Sequence, residues 1–448
     1  MAERINRREG AALINSLSAG VVPRIGLRHI AVGREKEVRS FLNDLETVQE
    51  GGAAFRFISG IYGSGKTFLL QLVRNNALDR NFVVLDADLS PERRLTGTKH
   101  QGLATYRELM QNLSIRSKPD GGGLESVLQK WISGLQMKVA ASLNLSPSDP
   151  SLVDEVSKKI YEDLRSLSEM AYGFTFAEVI ESYYKGYKSS DEELKSKALR
   201  WLRGEYLTRT EARKALGVDQ IIDDANWYDF LKLFARFCRM AGYEGLLVFL
   251  DESVNLYKIT NKVARVNNYE KILTMFNDTR QGKASGIGIF IGGTPQFITD
   301  EERGLYSYDA LKSRLLENRF VAQGYEDYTG PVLNISRLTN EELYLLLERL
   351  SELHSSYYKY DSDLSSDQLR AFLTRITSRM GAEQKLTPRE VTRDFLGLLN
   401  ILQQNPDSDF DQLLQEQKFS FEEEAQQPAS SRTAYDEKTE DLFASFEL

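Results

Sequence analysis

Two short stretches of this chain combine residue types that could bind a phosphate chain and split it. The first is GIYGSGKT at residues 60–67, whose spacing, G-x-x-x-x-G-K-[ST], is typical of a loop that surrounds phosphates with backbone N–H groups. Lys66 would reach the β- and γ-phosphates, and Thr67 would ligate Mg²⁺ through its hydroxyl, so we predict ATP and Mg²⁺ as ligands. The predicted nucleotide contacts in this segment are Gly60, Tyr62, Gly63, Ser64, Gly65, Lys66, Thr67 and Phe68.

The second stretch is LLVFLDE, residues 246–252. Its apolar residues predict a central strand, and Asp251 would emerge at the carboxyl end of that strand beside the glycine loop. There Asp251 would hold the hydration shell of Mg²⁺, while Glu252 would polarise the attacking water. Nucleotide kinases and G-proteins usually lack the second carboxylate, so the pair predicts a Mg²⁺-dependent ATPase. The structural alternative is that both acids only begin a loop.

Four further residues are predicted to complete a hydrolytic site. Thr294 follows the fourth apolar run and would place a hydroxyl near the γ-phosphate. Arg314 and Arg319, in the helical segment 309–320, would reach the nucleotide of a neighbouring subunit and stabilise transition-state charge. Ordinary surface arginines are the alternative. Arg389 opens a later helix, which could close over the nucleotide as a lid.

The elements that position these residues are predicted from hydrophobic periodicity. Apolar, β-branched runs alternate with helical segments, which predicts a parallel, doubly wound α/β sheet. A helix is predicted at 67–78, and a long insertion at about 92–240 has helical apolar periodicity. The predicted strands are 55–59, 81–90, 245–253, 286–295 and 331–336.

The chain divides into four predicted segments. They are an N-terminal segment (1–54), an ATPase core (55–337), an all-helical lid domain (338–404) and a disordered acidic tail (405–448). The tail ends in an apolar tip that could dock on a partner, although a frayed end is equally compatible. The residues of that tip are Leu442, Phe443, Phe446 and Leu448.

Composition limits the remaining possibilities. The net charge of −8 provides no protein-wide attraction to nucleic acid, although basic patches occur at 23–29 and around Arg4, Arg7 and Arg8. A single cysteine excludes a disulfide framework, and no apolar run is long enough to span a bilayer. We therefore expect a cytoplasmic protein. The segment 207–218 could begin a helix-turn-helix, but the acidic residues after it favour a packing helix.

The order of these parts resembles that of AAA+ ATPases, and it is most similar to the branch of replication initiators and STAND-type ATPases. The sequence IAVGREKEV, residues 30–38, is similar to the Gly-Arg-acid element that touches the adenine in that branch. By this resemblance Val32, Gly33 and Arg34 would lie at the base pocket.

The same resemblance implies roles for the residues beyond the glycine loop. Thr294 would be sensor 1, and Arg389 would be sensor 2. Arg314 would be the leading arginine finger, with Arg319 as the second choice.

A narrower resemblance extends from about residue 11 to 404. The stretches INSLSAGVVPRIGLRHIAVGRE, FISGIYGSGKTFLL and LGVDQIIDDANWYDFLKLFARFCRMAGYEGLLVFLDE are similar to the BREX-type ATP-binding family. That family is encoded in bacterial phage-defence islands. Its short, BrxD-like members commonly accompany a large superfamily-2 helicase, so the resemblance implies such a partner.

These observations leave three hypotheses. The leading one is an ATPase that forms a homo-oligomer and acts with a helicase partner in phage defence, with DNA as a further candidate partner. The second is a nucleotide-gated switch or scaffold that recruits a helicase or nuclease with little turnover. The third, a small-molecule kinase, is disfavoured by Glu252 and by the predicted helical lid.

Overall fold

The computed structural model describes residues 5–146, 149–316, 318, 321, 327–361, 364–378 and 387–416. Its centre is a five-stranded sheet in which every neighbouring pair is parallel. The strands are β1 (Ala53–Ser59), β2 (Val83–Asp88), β3 (Leu246–Asp251), β4 (Ile287–Gly293) and β5 (Val332–Asn334). They lie side by side in the order β2-β3-β4-β1-β5. The predicted α/β class is confirmed, and each predicted strand is present.

Helices make up most of the remaining described chain, together with 3₁₀ turns at Leu27–His29 and Leu305–Ser307. The helices are α1 (Arg7–Ser18), α2 (Glu35–Gln49), α3 (Lys66–Asp79), α4 (Gln101–Gln111), α5 (Leu124–Leu143), α6 (Pro150–Arg165), α7 (Gly173–Ser189), α8 (Glu192–Leu202), α9 (Arg209–Leu216), α10 (Trp227–Met240), α11 (Val254–Tyr257), α12 (Lys262–Arg280), α13 (Pro295–Thr299), α14 (Asp309–Leu315), α15 (Asn340–Tyr358), α16 (Ser366–Thr377), α17 (Pro388–Gln404) and α18 (Phe410–Glu416).

Both faces of the sheet are covered by helices. Successive side chains of a strand point to opposite faces, so the continuous apolar runs of this sheet supply two apolar surfaces. On one face α2 and α3 form a core with strand residues that include Ile58, Leu247 and Phe290. On the other face α12 and the insertion helices pack against residues that include Phe57 and Val248. The carboxyl ends of the strands are thus held at one edge.

The insertion between β2 and β3 contains helices α4 to α10, as its periodicity predicts. Large aromatic side chains such as Trp131 and Trp201 are buried in it and join it to the core on one face of the sheet. Helix α9 buries Ala212, and no helix occurs at 217–226 after it. No recognition helix therefore follows α9 directly, in accord with the packing interpretation.

The lid helices α15, α16 and α17 occur where the sequence predicts them. Each begins with a capping box, in which the N-cap hydroxyl and the side chain at N3 bond reciprocally to backbone N–H groups. Their apolar core also includes Leu13 and Ile14 of α1. The N-terminal helix therefore packs with the lid, more than 300 residues away in the sequence.

The packed region extends beyond the predicted lid boundary at residue 404. Helix α18 lies inside the segment predicted to be a disordered tail, and it buries Phe410 and Leu414 in the lid core. The prediction is corrected there because two apolar residues four positions apart share one helix face. The predicted apolar tip of the tail lies outside the described residues. Among those that are described, no helix has both the length and the apolar character needed to cross a bilayer.

Candidate functional site

The glycine-rich sequence forms the loop between β1 and α3, at the carboxyl edge of the sheet. Gly63 and Gly65 have φ values of +73° and +92°. Such angles are strained for residues with a Cβ, so glycine is required for the loop to curl back before α3. At Gly63 a Cβ would also overlap the side chain of Thr387 from the lid. The loop therefore has the curled backbone and the following helix that anion-binding loops require.

Lys66 is the first residue of α3. Its Nζ donates hydrogen bonds to the carbonyl oxygens of Gly60, at 2.8 Å, and Ile61, at 3.0 Å. Partial burial lowers the pKa of Lys66, and the charges of Asp251 and Glu252 oppose that shift. An ammonium held inside the loop by neutral carbonyls gains a stronger partner when a phosphate arrives.

Asp251 lies at the end of β3, within reach of the first turn of α3. Its Oδ2 accepts a hydrogen bond of 2.8 Å from the Thr67 hydroxyl, and its Oδ1 accepts one of 2.8 Å from the backbone N–H of Glu252. The carboxylate lies against Gly292 of β4, where a Cβ would overlap it. The two residues predicted to hold Mg²⁺ are thus brought together by three elements that are far apart in the sequence.

Glu252 has a positive φ of +55°, which is unusual for a residue with a side chain. The backbone around it is fixed by the next residue, because the Ser253 hydroxyl donates a 2.6 Å hydrogen bond to the carbonyl of Gly292. Partial burial raises the pKa of Glu252, and the negative charges of Asp251 and Asp88 raise it further. A carboxylate with a raised pKa is a stronger base than an ordinary glutamate.

Asp88, at the end of β2, is a third carboxylate of this edge that sequence reasoning did not identify. It is directly opposite Asp251 in the pairing of β2 with β3. Partial burial raises the pKa of Asp88, with smaller contributions from Asp251 and Asp86. The signal was an acid at the end of a predicted strand, but only the strand order shows that this strand is the neighbour of β3.

A cleft of about 250 Å³ opens above the glycine loop. One end is polar and includes the loop, Lys66, Thr67 and Glu252. The other end is aliphatic and is built from the N-terminal segment and the lid. Its aliphatic lining residues are Leu17, Val21, Val22, Ile30, Val32, Leu338 and Leu346. A cleft with a phosphate-binding end and an apolar end matches the two parts of a nucleotide.

The three residues predicted for the base pocket have different surroundings. Val32 is one of the aliphatic residues that line the cleft. Gly33 has φ +63°, and it lies against the carboxylate of Glu342 at the start of α15, with no room for a Cβ. Arg34 lines the cleft but is only 5% exposed, and its guanidinium bonds to protein groups.

The lid contributes Arg389 to the cleft. Its Nη1 donates a hydrogen bond of 3.2 Å to the hydroxyl of Tyr62 in the glycine loop. Thr387 and Pro388, which precede it at the start of α17, also line the cleft. The first residues of α17 therefore lie directly against the glycine loop.

The structure does not bring Thr294 or Arg314 into the cleft of the same chain. The Thr294 hydroxyl accepts a 3.3 Å hydrogen bond from the N–H of Phe297 and caps α13. Arg314 is exposed on α14, where it donates to Asn277 Oδ1 at 3.0 Å and to the Ala310 carbonyl at 2.6 Å. Arg319 lies outside the described residues.

The side-chain oxygen atoms at this site suit a Mg²⁺ ion that is held partly by the protein and partly by the phosphates of a nucleotide. Thr67, which lines the cleft, and Asp251, which accepts its hydrogen bond, offer adjacent hard oxygen atoms of the kind that Mg²⁺ prefers. Among the described residues, no cluster of three or more His, Cys, Asp or Glu side chains could hold a metal by itself. A Mg²⁺ ion that shares its coordination with phosphates and water needs no such cluster.

The fold and this cleft define an α/β protein whose strand–glycine loop–helix unit is of the kind that binds nucleotide phosphates. The chain belongs to the family described as BREX system ATP-binding protein BrxC/D, whose model matches residues 5–418. The predicted family is thereby confirmed, and its description supports ATP as the ligand and a role in the BREX defence system. No curated protein matches the sequence significantly.

Proposed function

We propose that this protein hydrolyses ATP in a Mg²⁺-dependent reaction and supplies that activity to a BREX defence system. The observation that carries the proposal is the hydrogen bond between Thr67 and Asp251, with Glu252 beside it. Binding alone requires the loop and Lys66, whereas Glu252 adds a carboxylate that can activate water, which hydrolysis requires.

Each side chain has a distinct role in this proposal. The loop N–H groups and Lys66 bind the triphosphate, and the aliphatic end of the cleft receives the base. Thr67 and Asp251 hold Mg²⁺, which when bound neutralises charge on the phosphates. Glu252 accepts a proton from the attacking water, and its raised pKa favours that transfer. Arg389 moves from Tyr62 to the phosphates as the lid closes.

The assembly proposed for this ATPase is AAA+-like. The lid over the cleft and the exposed Arg314 support it, because an arginine on the outer side of α14 is available to a neighbouring subunit. We further propose a cytoplasmic location, a helicase or another defence-system protein as partner, and action on DNA.

The proposal is tested by steady-state ATP turnover of the purified chain at increasing protein concentration. Lys66→Ala should abolish both ATP binding and turnover, whereas Lys99→Ala, which changes an exposed lysine outside the cleft, should leave both unchanged. Wild-type turnover per subunit should rise with concentration if subunits complete each other's sites. Normal turnover in Lys66→Ala would refute the proposal.

A second function, a nucleotide-gated switch with slow turnover, is favoured by two specific contacts. The Thr294 hydroxyl caps a helix, and the exposed Arg314 bonds to Asn277, so each side chain must give up a bond within its own subunit before it can assist hydrolysis. In a switch, binding of the helicase partner would change with the bound nucleotide. Partner affinity measured with ADP and with a non-hydrolysable ATP analogue distinguishes the two functions, because a switch gives different affinities without turnover.

A further inference from the structure

Arg34 is a buried arginine whose guanidinium joins three separate segments of the chain. Its Nη1 pairs with Glu37 Oε1 at 3.1 Å on α2. Its Nη2 donates to the carbonyl of Ser64 at 2.9 Å and to the carbonyl of Ser336 at 2.8 Å. Ser64 belongs to the glycine loop, and Ser336 lies between β5 and the lid helix α15. One side chain therefore bonds to both the loop and the connection to the lid.

The chemistry of arginine explains why this residue type occupies the position. The guanidinium is planar and permanently charged, and its N–H groups point in fixed directions. Removing such a charge from water is costly unless it is paired and fully hydrogen-bonded. Here one carboxylate and the carbonyls of Ser64 and Ser336 are the close partners, with the Gly33 carbonyl at 3.5 Å. A lysine keeps the charge but cannot hold two carbonyls in the same fixed plane.

The bond to Ser64 has a direct consequence for phosphate binding. The carbonyl of Ser64 and the N–H of Gly65 belong to one peptide group, and in a trans peptide they point in opposite directions. No cis peptide is present among the described residues. By holding the carbonyl from behind, Arg34 fixes the opposite direction for the N–H of Gly65, the N-cap residue of α3, which is one of the groups that would face a phosphate.

The bond to Ser336 links that peptide to the lid. Residue 335 continues the pairing of β5 with β1, since its N–H donates to the Ser59 carbonyl at 2.7 Å. Thr339, three residues after Ser336, is the N-cap of α15. A shift of the loop peptide would therefore be transmitted through Nη2 to the start of the lid.

We infer that Arg34 is a positioning residue that couples the phosphate loop to the lid through their backbones, and that it does not recognise the base. The inference rests on the nucleotide binding proposed above and not on hydrolysis. It differs from the base-pocket role that resemblance implies for Arg34, because the donors described here go to protein atoms.

Arg56 offers a closely matched control. It is 6% exposed, it pairs with Asp44, and it donates to the carbonyls of Tyr328 at 2.7 Å and Gly330 at 3.0 Å. It is not among the residues that line the cleft. Arg34→Lys and Arg56→Lys thus each replace a buried guanidinium that bonds to one carboxylate and two carbonyls. Only Arg34 bonds to the glycine loop.

The test compares both variants with the wild type in two measurements that need no turnover. The first is the affinity for ATP and for inorganic tripolyphosphate, which has no base. The second is hydrogen exchange of α15 with and without ATP. Arg34→Lys should weaken both ligands by the same factor, about tenfold or more, as expected when a charge-assisted hydrogen bond is lost. Arg34→Lys should also lose most of the protection from hydrogen exchange that saturating ATP gives to α15. Arg56→Lys should keep both the wild-type ligand affinities and that protection.

Three results would overturn the inference. The first is that Arg34→Lys loses affinity for ATP but not for tripolyphosphate, which indicates contact with the base. The second is that Arg34→Lys keeps wild-type ligand affinity or wild-type protection of α15. The third is that Arg56→Lys loses affinity and protection as much as Arg34→Lys does. If Arg34→Lys does not fold, Glu37→Gln replaces it, since that change leaves the arginine but removes its orienting carboxylate, and the same losses are expected on a smaller scale. Wild-type ATP binding without turnover would contradict the proposed function while leaving this test intact.

Discussion

Gly292→Ala should slow catalysis strongly while leaving the fold intact. A Cβ on Gly292 would lie under 3.0 Å from Asp251 Oδ1 and 3.2 Å from Asp251 Cγ, whereas ordinary contact begins at 3.4 Å. The carboxylate must therefore retreat by roughly 0.5 to 1 Å, because the surrounding strand is packed. The 2.8 Å hydrogen bond from Thr67 would then stretch beyond a useful length. A misplacement of about 1 Å at a catalytic centre can cost about a hundredfold in rate, so we expect a loss of that order in kcat.

A control on the same strand separates this effect from crowding of the core. A Cβ on Gly288 would lie 2.8 Å from Leu247 Cδ2, the flexible end of a side chain, and neither glycine has a positive φ. Gly288→Ala should lower the melting temperature but keep turnover. The assay is ATP turnover with Mg²⁺, together with ATP affinity in EDTA, which should be unchanged in Gly292→Ala. Wild-type kcat in Gly292→Ala, or an equal loss in Gly288→Ala, would show that the reasoning about the Asp251 carboxylate is incorrect.

Three further predictions concern other parts of the chain. Asp88→Asn removes a negative charge that raises the pKa of Glu252 above the ordinary glutamate value of 4.5. The acid limb of the kcat–pH profile should therefore move to lower pH in this variant. An unchanged acid limb would exclude the coupling between Asp88 and Glu252. Arg314→Ala should lower turnover only at concentrations where subunits associate. Lys312→Ala, on the same helix, should leave turnover unchanged. An identical effect of Arg314→Ala at every concentration would argue against action on a neighbouring subunit. Ser365→Ala removes the N-cap of α16 and should lower the free energy of unfolding by about 1 kcal/mol in a denaturant titration, with ATP affinity unchanged.

Much of the fold could be predicted because the signals are local. Continuous apolar runs predict strands that are buried on both faces, and β3 and β4 are strands of this kind. The lid helices carry their own start signals, since Thr339, Ser365 and Thr387 are each followed by Glu or Gln at N3. The glycine loop is equally local, because its spacing alone requires the curled backbone.

The features that escaped prediction depend on contacts between distant segments. Asp88 belongs to the site only because β2 lies beside β3. The hydroxyl of Thr294 had a suitable position in the sequence, but a helix that starts at the next residue uses it as a cap. The carbonyls of Ser64 and Ser336, which accept hydrogen bonds from Arg34, are 30 and 302 residues away, so no sequence spacing could reveal these two partners.

The most direct test of the central claim, that the acid pair beside the glycine loop splits bound ATP, is a single-turnover measurement on Glu252→Gln. ATP labelled at the γ-phosphate is mixed with excess protein and Mg²⁺, and bound ATP and free phosphate are followed over time. We predict that Glu252→Gln binds ATP with wild-type affinity but retains it uncleaved, while Glu302→Gln, an exposed glutamate outside the cleft, releases phosphate like the wild type. Release of phosphate by Glu252→Gln at the wild-type rate would contradict the account.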